Sequence, residues 1–205
     1  MTGGHTAPSP SGLYPIGLKV SGRRCLVVGS NKTALRKTEE LRDCGAIVDV
    51  VARAFVPADL DGVQLVVAAT DDTVVQEAVA QSAAARGIPC NVVDVNHLCT
   101  FYAPAVLRRG AMTISVATDG KFPLFAAAIR DRLAATLDEA IGPALELLGE
   151  GRVLACARFP NDPDERAAAL RRLLSAPALT SILEGRLAEF EAHWESWKTD
   201  LSSRA

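Results

Sequence analysis

The chain lacks the features that mark several large functional classes. Its five cysteines (Cys25, Cys44, Cys90, Cys99, Cys156) are scattered, odd in number and without a C-x-x-C pair. That pattern argues against a disulfide framework, and three of the five lie in or beside apolar runs, as buried thiols do in a reducing cytoplasm. No His/Cys cluster has the spacing of a metal site, so no stably bound metal is expected. Neither sign of charge predominates: 22 Lys and Arg stand against 24 Asp and Glu, for a formal net charge of −2. There is then no overall field to draw the protein to nucleic acid or a membrane surface, and an acidic ligand would have to be held by a local cluster of cations. No apolar run approaches the ~20 residues of a membrane span. Residues 1–12 are rich in Gly, Ser, Pro and Thr and have no apolar h-region, so they read as a flexible tail and not a signal peptide. A cytoplasmic protein is expected.

What is present is ordinary globular material: 205 residues, 49% hydrophobic and 22% charged, enough for one good core and a smaller helical appendage. Arg24–Val28 is a near-continuous apolar run ended by Gly29, as expected of a strand buried on both faces. A helix follows from Lys32 to Cys44 with Gly45 as its stop, then strand from Ala46 to Val51, a turn region from Pro57 to Gly62, and a third buried strand from Val63 to Ala69. Asp71-Asp72-Thr73 supplies N-cap chemistry for a helix reaching about Arg86. Pro89–Asp94 reads as a short buried strand ending in a lone carboxylate. Strand and helix alternate at short intervals, which predicts an α/β fold with an N-terminal Rossmann-like parallel sheet.

After Asp94 the pattern changes. Ala103–Leu107 and Met112–Ala117 read as a hairpin turned by Arg108-Arg109-Gly110, and Pro123 suits the first turn of an Ala/Leu-rich helix running to about Leu148. From Gly151 short helices are expected, over Asp164–Leu174 and Ala178–Trp197. Leu183, Leu187, Phe190, Trp194 and Trp197 trace an apolar stripe at helical spacing. A core face is the default cover for such a stripe and a partner subunit the sharper one, which favours a homodimer. The expected division is a tail at 1–12, a dinucleotide-binding domain at 13–100, a hairpin-and-helix region for dimerisation and substrate at 101–150, and a helical region at 151–205.

The chemistry-bearing residues gather at strand ends, where ligands of parallel α/β sheets bind. The loop Gly29-Ser30-Asn31-Lys32-Thr33-Ala34 fits G-x-G-x-x-[G/A] at its first and last positions, but Asn31 replaces the second glycine. Asn tolerates positive φ, so the turn is expected to survive. Asp49, twenty residues after Gly29, has the spacing of a ribose-binding acid, although it falls mid-strand. Asp94, at the lip of the cleft, can act on whatever binds there.

With these residues in view, the chain resembles the precorrin-2 dehydrogenase module of siroheme synthases. The matching stretches are Tyr14-Pro15-Ile16, Leu18, Cys25–Gly29, Ala34–Lys37, Ala68–Asp72, Cys90–Asp94, Phe101, Pro104 and Thr118–Pro123, across roughly residues 14 to 140. The resemblance implies NAD-dependent oxidation of precorrin-2 to sirohydrochlorin, with Asp94 as the base; an acid at the lip of the cleft is expected to be partly desolvated. It places Gly29, Ser30 and Asn31, with Lys32 and Thr33, on the pyrophosphate loop, and Thr70, Asp71 and Asp72 beside the nicotinamide ribose. Thr118, Gly120, Lys121 and Pro123 fall on the turn that shapes the tetrapyrrole cleft; Asn91 and His97, on either side of Asp94, are further candidate substrate contacts. Arg108, Arg109, Lys121 and Arg130 are the candidate cations for the substrate's carboxylates. Fe²⁺ chelation by the same aspartate is open, and the chain is too short to carry a methyltransferase as well.

Two departures accompany the resemblance. Asn31 stands for a family glycine, and the stretch between Pro57 and Leu65 is much shorter than the family pattern, which should alter the adenosine side of the cleft. Two other classes remain on the sequence alone: a non-redox tetrapyrrole-binding relative that has lost dinucleotide turnover, and a general dinucleotide-binding regulatory module.

Overall fold

A computed structural model describes residues 12–203, so the tail expected at 1–12 lies outside the described residues except for Gly12. The chain divides into two compact units. One runs through Ala103 and includes Asp119–Lys121; the other comprises Pro104–Thr118 and the chain from Phe122 onward.

The first unit is a four-stranded parallel sheet of β1 (Arg24–Val28), β2 (Ile47–Val51), β3 (Leu65–Ala68) and β4 (Cys90–Val92), in the order β2-β1-β3-β4. Alternation along β1 explains its two coats. Cys25 and Val27 face a cluster with Ala34 of α1 (Lys32–Asp43), Leu65 and Val67. Leu26 and Val28 face another with Val79 and Ala83 of α2 (Thr73–Ala84), Val66 and Ala68. A sheet buried on both faces needs apolar residues at consecutive positions, which is why its strands read as unbroken apolar runs. The stretch 57–64 holds a single 3-10 turn, Pro57–Leu60, whose Leu60 is buried under the α2 face of the sheet.

The second unit begins with an antiparallel hairpin, β5 (Ala105–Arg109) and β6 (Met112–Val116). Arg108 and Arg109, expected in its turn, belong to β5, where Arg109 pairs with Met112. The helix expected to run from Pro123 to about Leu148 is two: α3 (Pro123–Ala134) and α4 (Ile141–Arg158). Arg109 accounts for part of the break. Its Nε donates to the Leu137 carbonyl at 2.9 Å and its Nη2 to that of Ala134 at 3.0 Å, capturing carbonyls past which the helix would otherwise continue. Asp138 Oδ1 then accepts from the Ala140 amide at 2.8 Å, just ahead of α4.

Gly151 is not a boundary. It lies inside α4, where a Cβ would stand 2.4 Å from Leu173 Cδ2 and 2.8 Å from Trp194 Cζ3. Its bare backbone lets α4 lie close against α5 (Pro163–Leu173) and α7 (Leu187–Ser203). The helix expected over Ala178–Trp197 is also two elements, α6 (Ala176–Leu183) and α7, separated at Glu184-Gly185-Arg186. The apolar stripe is spent inside this unit. Trp194 and Trp197 stack at 5.5 Å within a cluster with Ala155, Ala169, Leu173 and Leu201, and Trp197 Nε1 donates to the Ala169 carbonyl at 3.0 Å. Phe190 fills a second cluster with Ile141, Ala144 and Ile182. The stripe therefore does not supply the subunit contact expected of it. No helix among the described residues is long and apolar enough to cross a membrane.

Candidate functional site

Sheet topology brings the candidate residues of the first unit into a row. The chain leaves β1 toward β2 on one side and reaches β3 and β4 on the other, so the order reverses between β1 and β3, and ligands of open α/β sheets bind outside such a switch point. Along the carboxyl edge the residues following the four strands are, in spatial order, the Ala52–Ala54 segment, Gly29, Thr70 and Asp94. Neighbouring strands lie about 4.8 Å apart, so Asp94 stands on the second strand from the glycine turn, near enough for one extended ligand to span both.

Gly29 joins three strands at this edge. Its amide donates to the Val51 carbonyl at 2.9 Å, at the end of β2. It has φ +128°, and a Cβ there would meet the Ala69 carbonyl oxygen at 2.1 Å and Thr70 N at 3.3 Å. The position needs glycine on both counts. Asn31, where positive φ was expected, has φ −76° and is the N-cap of α1: its side-chain oxygen accepts from the Ala34 amide at 2.9 Å. An Asn that folds onto its own helix keeps its side chain off the turn, so the loss of the second glycine costs less room than its size suggests. The amides of Lys32 and Thr33 remain without intrahelical acceptors, the first turn of α1 holds no acid, and Lys32 is exposed beside them. Backbone donors, a helix N-terminus and a cation together suit a pyrophosphate. Ser30 is exposed and Thr33 half-buried at the same turn.

The turn after β3 is built with equal economy. Asp72 caps α2, its Oδ1 accepting from Val74 N at 2.9 Å and Val75 N at 3.2 Å. Thr70 Oγ1 accepts from the Asp72 amide at 3.3 Å, and the Thr70 carbonyl accepts from the buried Gln76 side chain at 2.6 Å. Gln76 was not singled out from the sequence, where nothing marks this Gln as buried. Asp72 is thus occupied as a cap, whereas Asp71 is exposed beside it.

Asp94 is exposed and adopts φ +63°, with its neighbour Val93 donating to the Ala68 carbonyl at 2.9 Å. Left-handed backbone at a non-glycine residue is costly, and Asp is among the few types that tolerate it. It turns the chain sharply at the tip of β4. The partial desolvation expected of this acid is not a property of the chain alone, since its carboxylate lies at the surface. Behind it, Asn91 ties down the following loop. Its side-chain amide donates to the Phe101 carbonyl at 3.0 Å and to Cys99 Sγ at 3.5 Å, and the residue is buried. Asn91 is therefore a brace inside the fold and not the substrate contact expected. His97 is exposed on a 3-10 turn, Asn96–Leu98, that follows Asp94.

A second turn closes on this loop. Asp119 and Gly120 have φ +56° and +69°, and a Cβ on Gly120 would stand 2.5 Å from Asn96 Nδ2. The Asp119–Lys121 turn thus packs onto the Asp94 loop within the first unit, bringing the exposed Lys121 to the same end. Lys32 and Lys121 carry no ion pair among the described residues.

Several expected site residues have other employment. Asp49 lies mid-strand opposite Leu26, and its Oδ2 accepts from Arg24 Nη2 at 2.6 Å and Nε at 3.2 Å. That pair sits near the start of β1, the wrong end of the sheet for a ribose. In the second unit Arg109 holds carbonyls at the end of α3 and pairs with Glu139 at 2.9 Å, so its guanidinium is not available to a substrate. Arg130 pairs with its neighbour Asp131 at 2.7 Å. Arg108 is exposed on β5, Thr118 Oγ1 accepts from the Phe122 amide at 3.4 Å, and Pro123 opens α3.

Among the described residues no group of three or more His, Cys, Asp or Glu could hold a metal ion, and all five cysteines are free thiols. Burial, with a contribution from Cys99, pushes the Cys90 thiol up to about 11, and burial also raises Cys25 and Cys99. These three thiols are therefore poor nucleophiles at neutral pH.

Residues 16–105 match a family described as putative NAD(P)-binding. The siroheme synthase of Chromobacterium violaceum is 35% identical over 202 residues, covering 89% of this chain and 43% of that protein. The siroheme synthase of Methylobacillus flagellatus is 36% identical over 172 residues, covering 74% of this chain and 37% of its own. The chain thus spans less than half the length of these curated relatives. Among solved structures, SirC, a precorrin-2 dehydrogenase, superposes with a TM-score of 0.67 at 22% identity, over 90% of this chain and 100% of that one. The likeness is one of fold, an α/β architecture with a parallel sheet and a helical C-terminal region.

Proposed function

We propose, for a chain that is a homologue of the siroheme synthases, that it oxidises precorrin-2 to sirohydrochlorin with NAD. The observation that carries this reading is the placement of an exposed carboxylate, Asp94, on the same sheet edge as the Gly29 turn, in a left-handed conformation that only a few residue types sustain. A nicotinamide dinucleotide supplies a hydride acceptor. The chain's residues do the rest. The Gly29 turn and the amides of Lys32 and Thr33 bind the pyrophosphate. The Thr70–Asp72 turn, held by Gln76, sets the position of the nicotinamide end. Asp94 takes the proton that leaves the macrocycle as its hydride departs, so two electrons and two hydrogens are removed together. A planar macrocycle laid over Asp94 would supply the desolvation that the carboxylate lacks by itself. Lys121, on the turn packed against the Asp94 loop, is the cation best placed for a substrate carboxylate, and His97 is a second contact beside it.

The test is absorbance of the purified protein with precorrin-2 in the presence and absence of NAD. Sirohydrochlorin formation that requires NAD is the expected outcome. Tetrapyrrole binding without turnover would replace this reading with a non-redox carrier. Adding Fe²⁺ to sirohydrochlorin tests chelation separately, with the metal as substrate.

The same proposal includes a homodimer. Phe122, Leu124, Phe125 and Ile129 leave an apolar surface exposed at and beside the first turns of α3, with Leu124 75% exposed. Light scattering is expected to give twice the 21.6 kDa chain mass, and a monomer at micromolar concentration would contradict it.

A further inference from the structure

The adenosine end of a dinucleotide in this fold lies at the carboxyl end of β2, where an acid binds the ribose 2′-hydroxyl or an arginine accepts a 2′-phosphate. The expected acid, Asp49, is two residues short of that end and engaged by Arg24. Two residues beyond the end stands Arg53, in the segment that follows Val51, whose carbonyl anchors the Gly29 amide. Arg53 is fixed in place. Its Nη1 donates to the Ala54 carbonyl at 2.7 Å and to Asp59 Oδ2 at 3.1 Å, and its Nη2 donates to Asp59 Oδ1.

Asp59 is itself locked. Its Oδ2 also accepts from the Val56 amide at 2.9 Å, in the 3-10 turn that occupies the shortened stretch after β2. Its side chain is only 10% exposed, whereas that of Arg53 is 62% exposed. The Arg53 hydrogen bond and the Val56 amide hold the Asp59 carboxyl below the usual carboxylate range, so the clamp is charged at neutral pH. Asp59 takes the end-on fork of the guanidinium. The side-on fork, Nε–H with the second Nη2 hydrogen, has no partner among the described residues. Two parallel N–H donors on an immobilised guanidinium match two oxygens of a phosphate.

We infer that Arg53 selects the dinucleotide, and that this chain accepts a 2′-phosphorylated adenine dinucleotide, NADP, as well as NAD. The inference rests on the reading of the Gly29 turn as a pyrophosphate site. The short 57–64 stretch belongs to the same device, because it delivers Asp59 to hold the guanidinium at the strand tip. Asp59, the carboxylate held at this strand tip, is neutralised by Arg53 itself and does not repel the phosphate.

Dissociation constants for NAD and NADP, measured by calorimetry on the full chain, test this directly. Wild-type protein should bind NADP at least as tightly as NAD. Arg53→Ala should weaken NADP by about tenfold or more, the worth of a lost charge-assisted hydrogen bond, with NAD changed by less than about threefold. Arg53→Gln, a shorter and neutral polar side chain that cannot present the paired donors of a guanidinium, should give the same change in ratio, and it stands in if the alanine variant does not fold. Binding of NAD with no measurable binding of NADP, or an NADP/NAD ratio unmoved by either variant, overturns the role of Arg53 and leaves the dinucleotide site standing. Binding of neither nucleotide overturns both.

Discussion

Replacing Asp94 by Asn is expected to lower the rate of NAD-dependent oxidation by roughly 10²–10⁴-fold, the usual worth of a positioned base, with little change in stability. Asn is chosen because it fills the same volume and tolerates the φ of +63° found at this position. Loss of rate in Asp94→Asn then reports the missing carboxylate and not a rebuilt loop. Asp94→Ala confounds the two, since alanine in left-handed backbone costs about 1–2 kcal/mol. Asp94→Gly relieves the conformation altogether and should be as stable as wild type within about 1 kcal/mol while remaining inactive. Single-turnover absorbance together with urea denaturation midpoints measures both quantities. An Asp94→Asn enzyme within about threefold of the wild-type rate would remove Asp94 from the chemistry.

Gly29→Ala has the larger expected effect on the fold. The new Cβ would lie 2.1 Å from the Ala69 carbonyl oxygen, which is backbone of the central sheet, and φ is +128°. Relief requires β1 and β3 to separate at their carboxyl ends, where Gly29 N also bonds Val51 O at 2.9 Å. A loss of about 3–5 kcal/mol is expected, a large fraction of the about 5–15 kcal/mol of an ordinary domain, together with loss of dinucleotide binding. Gly149→Ala is the control. Gly149 is helical with nothing within 4 Å of its would-be Cβ, so alanine should stabilise by up to about 1 kcal/mol. Equal denaturation midpoints for the two variants would contradict the close strand contact at Gly29.

Much of the sheet is legible in the sequence because its signals are local. The apolar run Cys25–Val28 before Gly29, the N-cap residues ahead of α2 and the closing stretch at β4 each state their structure within a few residues. The α3–α4 break is not legible, because an Ala/Leu-rich composition continues through it and the guanidinium that intercepts its carbonyls comes from Arg109, 25 to 28 residues away. The stripe of Phe190, Trp194 and Trp197 demands a cover, but one helix cannot say whether that cover is α4 and α5 or a second chain. The candidate site divides the same way. Gly29 and Asp94 are marked by their position at strand ends. Asn91, Asp49 and Arg109 carry the right chemistry but are committed to partners distant in sequence, Phe101, Arg24 and the end of α3. Arg53 escaped notice because its meaning depends on Asp59 folding back beneath it and on Asp49 being engaged elsewhere.

The dinucleotide and the acid must meet along one strip of backbone, and amide chemical shifts of ¹⁵N-labelled protein can map that strip. Titration with AMP should move only the amides around Gly29 and Arg53. Titration with NAD should extend the perturbation across Thr70 to Val93 and Asp94, leaving α5, α6 and α7 unmoved. An NAD titration that leaves Asp94 silent, or whose largest shifts fall on the helices of the second unit, would contradict it.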